Sequence, residues 1–330
     1  MKRRIITSFL LLIVALLLSS CMFGLPDFVL NKTVKIKIGE KLYTEDDVWI
    51  RLDSITVDTR NYLTNTPGRV VAEFTVGQDT SGVEVWKQNI TFVTDTMNSQ
   101  TFNSCWQGDV GEGNFYIMTI TRVSPHRIGE VDIPDEDYRV SFVIEKAIVA
   151  YKPNIYLYPK KTTQMTVSLD FPKGGKVIES IPDFPDKWKK IKVEPDAKIN
   201  ETYDYLFYEA SLPNKWQYKQ GWSVTQSNLE AFFRSNLADY GFIENEINDF
   251  LDYWIPRLIE HSYYNIYPQH TDKINELIDL KISKKPRSLL RMFYVIEPVR
   301  SPMISKIDTP IIPEFERKGF TVAEWGVVFK

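Results

Sequence analysis

The chain has 330 residues, with 40 lysines and arginines against 43 aspartates and glutamates and a formal net charge of −3. That length is enough for two ordinary domains, and no basic stripe is present, which argues against a nucleic-acid partner gripped through its phosphates. Only two cysteines occur, Cys21 and Cys105, so the chain is not a disulfide-stapled scaffold of the kind common among small secreted domains.

The first predicted element is N-terminal. Lys2, Arg3 and Arg4 form a basic tip, and the 14 residues from Ile5 to Leu18 are interrupted only by Thr7 and Ser8. A helix needs about 20 apolar residues to span a bilayer, whereas this run has the length and flanks of a signal-peptide h-region. It ends in Leu18-Ser19-Ser20-Cys21. Charge, apolar run and Leu-small-small-Cys, in that order, resemble the lipobox of bacterial lipoprotein signal peptides. The resemblance implies that residues 1–20 are removed and that Cys21 becomes a lipidated N-terminus in the bacterial cell envelope. One acyl chain such as palmitate holds weakly, and two or more anchor stably. Met22 stands where many members of that family carry an inner-membrane retention Asp, which implies outer-membrane sorting if the host has one. The other reading is an ordinary signal peptide or an uncleaved anchor, with Cys21 incidental.

Removal of the leader takes away Lys2, Arg3 and Arg4 and leaves 37 basic against 43 acidic residues. A mildly acidic surface argues against electrostatic adhesion to anionic lipid, so contact with the membrane is expected through the acyl chains on Cys21. Cys105 then has no partner in its own chain. It reads as a buried or semi-buried thiol, since no His-containing motif accompanies "NSCWQG" to make it a nucleophile.

Residues 21–32 read as the lipidated cysteine and a tether, and residues 33–150 as a β-domain. "TVKIKI" alternates Val34, Ile36 and Ile38 with polar residues. In "VWIRLDSITV" the apolar parity switches from Val48, Ile50 and Leu52 to Ile55 and Val57, which predicts a bulge near Asp53 and Ser54. "RVVAEFTV", "FYIMTITRV" and "YRVSFVIEKAIV" add strand-like runs between turn residues, with no helical pattern among them. The expected fold of this half is an all-β sandwich or barrel. Its order of segments also resembles a small β-domain of envelope lipoproteins, although both cysteines of that domain's motif are missing here.

From 151 to 330 the pattern becomes α+β, with a mainly antiparallel sheet and helices inserted in its middle. "YKPNIYLYPKKTTQMTVSLDFP", "YDYLFYEA", "SLLRMFYVIEPV" and "GFTVAEWGVVF" read as strands. "SNLEAFFRSNLADYGF" reads as a helix opened by a capping box of Ser227 and Glu230 and closed by Gly241. "NEINDFLDYWIPRLIEH" is a second helix that Pro256 kinks or breaks, and "DKINELIDL" a third. Glu244, Glu246, Asp249 and Asp252 suit the start of the second helix and read as a solvated face. "KPNIYLYP", "YLFYEA", the Pro256 helix, "RMFYVIEPV" and "GFTVAEWG" together resemble a widespread family of uncharacterised bacterial secreted or surface proteins, over residues 152–330. That resemblance implies an envelope setting and supplies no mechanism.

No P-loop, dinucleotide fingerprint, His-Glu-x-x-His, Cys-x-x-Cys or Gly-x-Ser-x-Gly motif is present, so no cofactor is indicated. His126, His261 and His270 are scattered, short of the three or four ligands that zinc requires. Carboxylates interrupting aromatic strands are the candidates for catalysis: Glu209, Glu297 and Glu324. Two of them converging on one face, one held protonated by burial, are the apparatus of glycoside hydrolysis. Each reads equally as a strand-end carboxylate in solvent or a partner of Arg291, Arg300 or Arg317. Tyr156, Tyr158, Trp222, Trp254 and Trp325 are binding candidates, as stacking walls for a sugar or peptide, or else core sealed by the inserted helices. The expected function is an extracytoplasmic binding or structural module of the envelope with a glycan or protein partner. The alternative is a glycan hydrolase using two of the three glutamates.

Overall fold

A computed structural model of the chain describes residues 30–44, 48–58, 69–80, 83–94, 105–109, 115–124, 134–302 and 307–330. Cys21, the leader, most of the tether and His126 lie outside the described residues. The protein is mostly β-strand, and its residues divide into two compact units, Met1–Glu145 and Lys146–Lys330. Among the described residues, no helix is long and apolar enough to cross a membrane.

In the first unit, β1 (Val34–Ile36), β2 (Lys41–Tyr43), β3 (Val48–Asp58), β4 (Arg69–Thr80), β5 (Val83–Thr94), β6 (Cys105–Asp109) and β7 (Phe115–Ser124) precede the long strand β8 (Arg139–Tyr158). β2, β3, β4 and β5 form one sheet in that order, and β1, β7 and the start of β8 belong to another. Alternation decides what each strand buries. Val48, Ile50 and Leu52 from the first sheet meet Tyr116, Met118, Val140 and Phe142 from the second in one apolar cluster. The parity switch in β3 is realised as a register shift between Leu52 and Ser54 against β4.

The second unit is built on a sheet with strand order β10-β12-β8-β17-β16-β14-β13. These strands are β10 (Lys176–Ile181), β12 (Leu206–Pro213), β13 (Trp222–Thr225), β14 (Tyr263–His270), β16 (Ser288–Val299) and β17 (Thr321–Phe329), with the later part of β8. Its pairs are antiparallel except β16 with β17. β9 (Thr163–Asp170), β11 (Trp188–Val193) and β15 (Asp279–Ile282) make a separate three-stranded sheet. The helices are α1 (Leu229–Tyr240), α2 (Glu244–Trp254) and α3 (Thr271–Leu277).

Period-two alternation sends the two faces of the central sheet into different cores. Ile155, Leu157, Tyr208, Val322 and Phe293 pack with Met165 and Val167 of the small sheet and Ile274 of α3. Tyr156, Ala323, Trp325, Met292 and Tyr294 pack with Phe233 and Leu237 of α1 and Phe250 and Leu251 of α2.

Helix ends follow their sequence signals in part. Gly241 stops α1 at φ 98 in the left-handed region, its N–H donating to Ala238 and that of Phe242 to Leu237. The Ser227–Glu230 capping box does not form: Gln226–Asn228 is a 3-10 turn, and Asn228 precedes α1 without a side-chain cap. Ser227 thus sits in a turn outside α1, and its Oγ lies 3.3 Å from Oγ1 of Thr225. α2 ends at Trp254 and passes into a 3-10 turn holding Pro256. α3 is shorter than the sequence suggests, because Asp279 and Leu280 are drawn into β15 by pairing with Asp170 and Leu169. The acidic start of α2 is also not wholly a solvated face: Glu246 is fully buried against Arg317, and Asp249 accepts the Tyr156 hydroxyl at 2.8 Å.

Candidate functional site

A proline in the interior of a sheet cannot donate to the ladder and is tolerated at a bulge. Pro153 lies in β8 between two neighbours, and both register with it irregularly. From Asn154 to Ala150 β8 advances four residues while β12 advances three, from Phe207 to Ala210. Against β17 it advances three, from Asn154 to Tyr151, for two, from Trp325 to Val327. The extra residue falls at Lys152–Pro153, and Lys152 takes φ 55, a left-handed conformation uncommon for a non-glycine residue. Bulges re-aim side chains. Here the bulge turns Lys152 into a cavity of about 410 Å³ on the helix-covered side of the sheet, toward the β10 edge.

The other walls come from Glu179 and Ile181 of β10, Phe207 and Glu209 of β12, Tyr203, Asp204 and Tyr205 just before it, and Tyr253 of α2. The Lys152 ammonium lies 4.4 Å from the Phe207 ring centre, 5.0 Å from that of Tyr205 and 5.4 Å from that of Tyr253. Three ring faces favour the cation, and no carboxylate among the described residues reaches it within ion-pairing distance. Glu209 stands directly opposite Glu179 in the β10–β12 register, a like-charge cross-strand pair that costs stability. Asp204 is engaged by Lys198 at 2.8 Å at the rim.

The charges perturb one another. Burial first, then the Glu179 charge, raise the Glu209 carboxyl above its usual range, against the pull of the Lys152 backbone N–H and ammonium. Burial lowers Lys152 below the ordinary lysine range, opposed by Asp249 and Glu209. Burial also raises Asp249, opposed by its hydrogen bond from Tyr156. The site therefore offers a carboxyl that takes a proton more readily than usual and an amine that gives one up more readily, beside ring faces and an exposed carboxylate.

The three glutamates singled out in the sequence occupy three environments. Glu209 lines the cavity. Glu324 is fully buried, accepts the Tyr208 hydroxyl at 2.7 Å and pairs with the equally buried Arg291. Glu297 is bound by Lys330 at 2.8 Å and by the Tyr267 hydroxyl at 3.3 Å. Neither Glu297 nor Glu324 lines the cavity, and Arg291, one of the three arginines considered, is the partner of Glu324.

The five aromatics are spread as well. Trp325 is fully buried and its Nε1 donates to the Glu246 carbonyl at 3.0 Å. Tyr156 is buried beside it, with ring centres 6.5 Å apart. Trp222 meets Phe232 edge to face at 5.3 Å, and Tyr158 lies beneath the Arg317 guanidinium at 5.2 Å. Trp254 borders a second cavity, of about 290 Å³, that shares Tyr253 with the first. Their hydrophobic payload goes into the core under α1 and α2. Lys152, Phe207 and Tyr253 lie in segments quoted for the resemblance, which gave them no role, and Glu179 lies in none; a usable signal was Pro153 inside a run that otherwise reads as a central strand.

Metal chemistry finds no cluster: among the described residues no three His, Cys, Asp or Glu side chains are placed to share an ion. His270 Nε2 lies 3.0 Å from the Tyr240 hydroxyl, and burial lowers its pKa. His261 is exposed. Cys105 begins β6.

Comparison of the chain with protein-family models, with curated proteins and with solved structures gives no match.

Proposed function

We propose that this protein is a lipoprotein of the bacterial cell envelope, tethered by acyl chains on Cys21, with an all-β sandwich domain followed by an α+β domain. In this reading the α+β domain is an extracytoplasmic binding module, and its ligand enters the Lys152–Glu209 cavity. The observation that carries the proposal is the bulge at Lys152. A left-handed non-glycine residue in a sheet interior costs on the order of 1–3 kcal/mol and persists where the surroundings enforce it, most often at ligand sites. Enclosure by aromatic rings with a few polar groups is the usual composition of such a site.

A second reading, glycan hydrolysis, is favoured by the Glu179–Glu209 pair. Directly opposed residues on antiparallel strands have Cβ atoms about 4.5–5.5 Å apart, which lets their carboxyls approach the roughly 5 Å separation of retaining glycosidases. Glu209, the more shielded, would be the proton donor and the exposed Glu179 the nucleophile.

One experiment separates the readings. The purified protein and its Glu209→Gln and Glu179→Gln variants are incubated with cell wall, a polysaccharide panel and a peptide library, and both retention and released fragments are measured. Retention without fragments, weakened in Glu209→Gln, supports the binding module. Fragments lost in both variants make the hydrolase the better reading. Neither retention nor fragments removes the cavity from consideration. Cys21→Ser should release the protein from the membrane, and continued acylation of that variant would overturn the tether.

A further inference from the structure

Among the described residues β10 is the last strand of its sheet, paired on one side with β12. A terminal strand offers a row of backbone N–H and C=O groups along its open edge. Along β10 runs a groove of about 590 Å³, lined by the four consecutive residues Val177, Ile178, Glu179 and Ser180 and closed below by Asp183 and Phe184. The groove touches four residues of β10 in succession, across the register shift between Val177 and Glu179. The Lys152–Glu209 cavity opens on one side of the same strand, at Glu179 and Ile181.

Charge selects among occupants. Glu179, Asp183 and Glu209 make no ion pair with any described residue; Lys152 is held among its rings, Lys198 pairs with Asp204, and Lys176 stands at the start of β10. A second copy of this chain docking edge to edge would bring Glu179 against Glu179 or its neighbours. β10 is also short, and its register with β12 slips between Val177 and Glu179. Short, bulged, charged edges are the features that keep strands from pairing indiscriminately. They leave open a partner whose charge is opposite.

We infer that β10 is a docking edge for an extended cationic peptide segment, which adds as a further strand and places a Lys or Arg side chain into the cavity beside Glu179 and Glu209. This rests on the cavity being a ligand site and names the ligand. In strand addition the main-chain hydrogen bonds give affinity, and pockets for alternate side chains give specificity.

The test uses the full chain purified in detergent and a phage-displayed library of random 12-residue peptides. Enriched sequences should carry a Lys or Arg flanked at alternate positions by β-branched or aromatic residues. A synthetic copy of the best binder should weaken at least tenfold when its alternate amides on the pairing edge are N-methylated. It should also weaken at least tenfold against Glu179→Lys, an exposed position where the substitution leaves the fold intact. Binding within twofold after N-methylation in both registers, or enrichment of acidic sequences, would overturn strand addition. If no peptide is enriched but a polysaccharide is retained in a Glu209-dependent way, the peptide inference fails and the binding site stands. If neither binds, both fail.

Discussion

Two ionic groups in the second unit lie within a few residues of each other in β12, and they are opposites. Tyr208 points to one face of the sheet, where it joins Arg291 and Glu324 in a fully buried cluster. Arg291 also donates to the Asn275 Oδ1 and the Ile278 carbonyl, each at 2.6 Å. Glu209, the next residue, points to the other face and into the open cavity with Lys152 and Glu179. The first cluster pairs its charges internally, leaving only the Arg291 Nη2 without a partner, and both charged side chains are closed to solvent. The second leaves its charges unpaired where a ligand can reach them. A glutamate inside an apolar strand is therefore not by itself a functional signal; what distinguishes the two is whether an arginine already holds it.

Substitutions should separate these regions, and the largest effect belongs to the sealed one. Glu324→Ala strands the Arg291 guanidinium in the core and should cost about 3–5 kcal/mol in urea unfolding. Glu209→Ala should stay within about 0.5 kcal/mol, as for surface positions without such a partner. Equal costs at the two glutamates would break the comparison. A loss between these two is expected at Gly241→Ala, at least about 1 kcal/mol, because φ is 98 and an added Cβ would stand 2.7 Å from Phe315.

The Glu209 carboxyl gives a pH signature of known sign. Its folded pKa is raised, so its contribution to stability is fully present below the ordinary glutamate range and is lost as pH rises through the folded value. Glu209→Gln should thus gain stability relative to the parent at neutral pH and not in acid, measured as unfolding midpoints across pH. The opposite slope would mean that Lys152 dominates its surroundings. A small effect is also expected at Glu297→Gln, under about 1 kcal/mol, since it removes a partly exposed pair with Lys330.

Much of the architecture was legible because it is local. The parity switch in β3 announced its bulge, Gly241 its helix stop and Pro256 the end of α2, each from a few adjacent residues. Apart from the Ser227–Glu230 capping box, lost to a local 3-10 turn, the misread pieces depended on partners distant in sequence. α3 loses its last residues to β15 because β9 is there to pair with, and Glu246 is drawn inward by Arg317. The candidate site was legible only at Glu209. Its neighbours are set by register between β8, β10 and β12, and no spacing along the chain reveals which residues a register brings face to face.

The place of β17 carries one more consequence. It holds Thr321–Phe329 and follows the unit's other strands in chain order, yet it sits in the middle of its sheet, parallel to β16 and antiparallel to β8. Until those residues arrive, β8 and β16 have no neighbour on their facing sides, and the Trp325 and Glu324 positions in the two cores are vacant. The unit therefore closes last at its centre and by non-local pairing, the slow and aggregation-exposed kind of step.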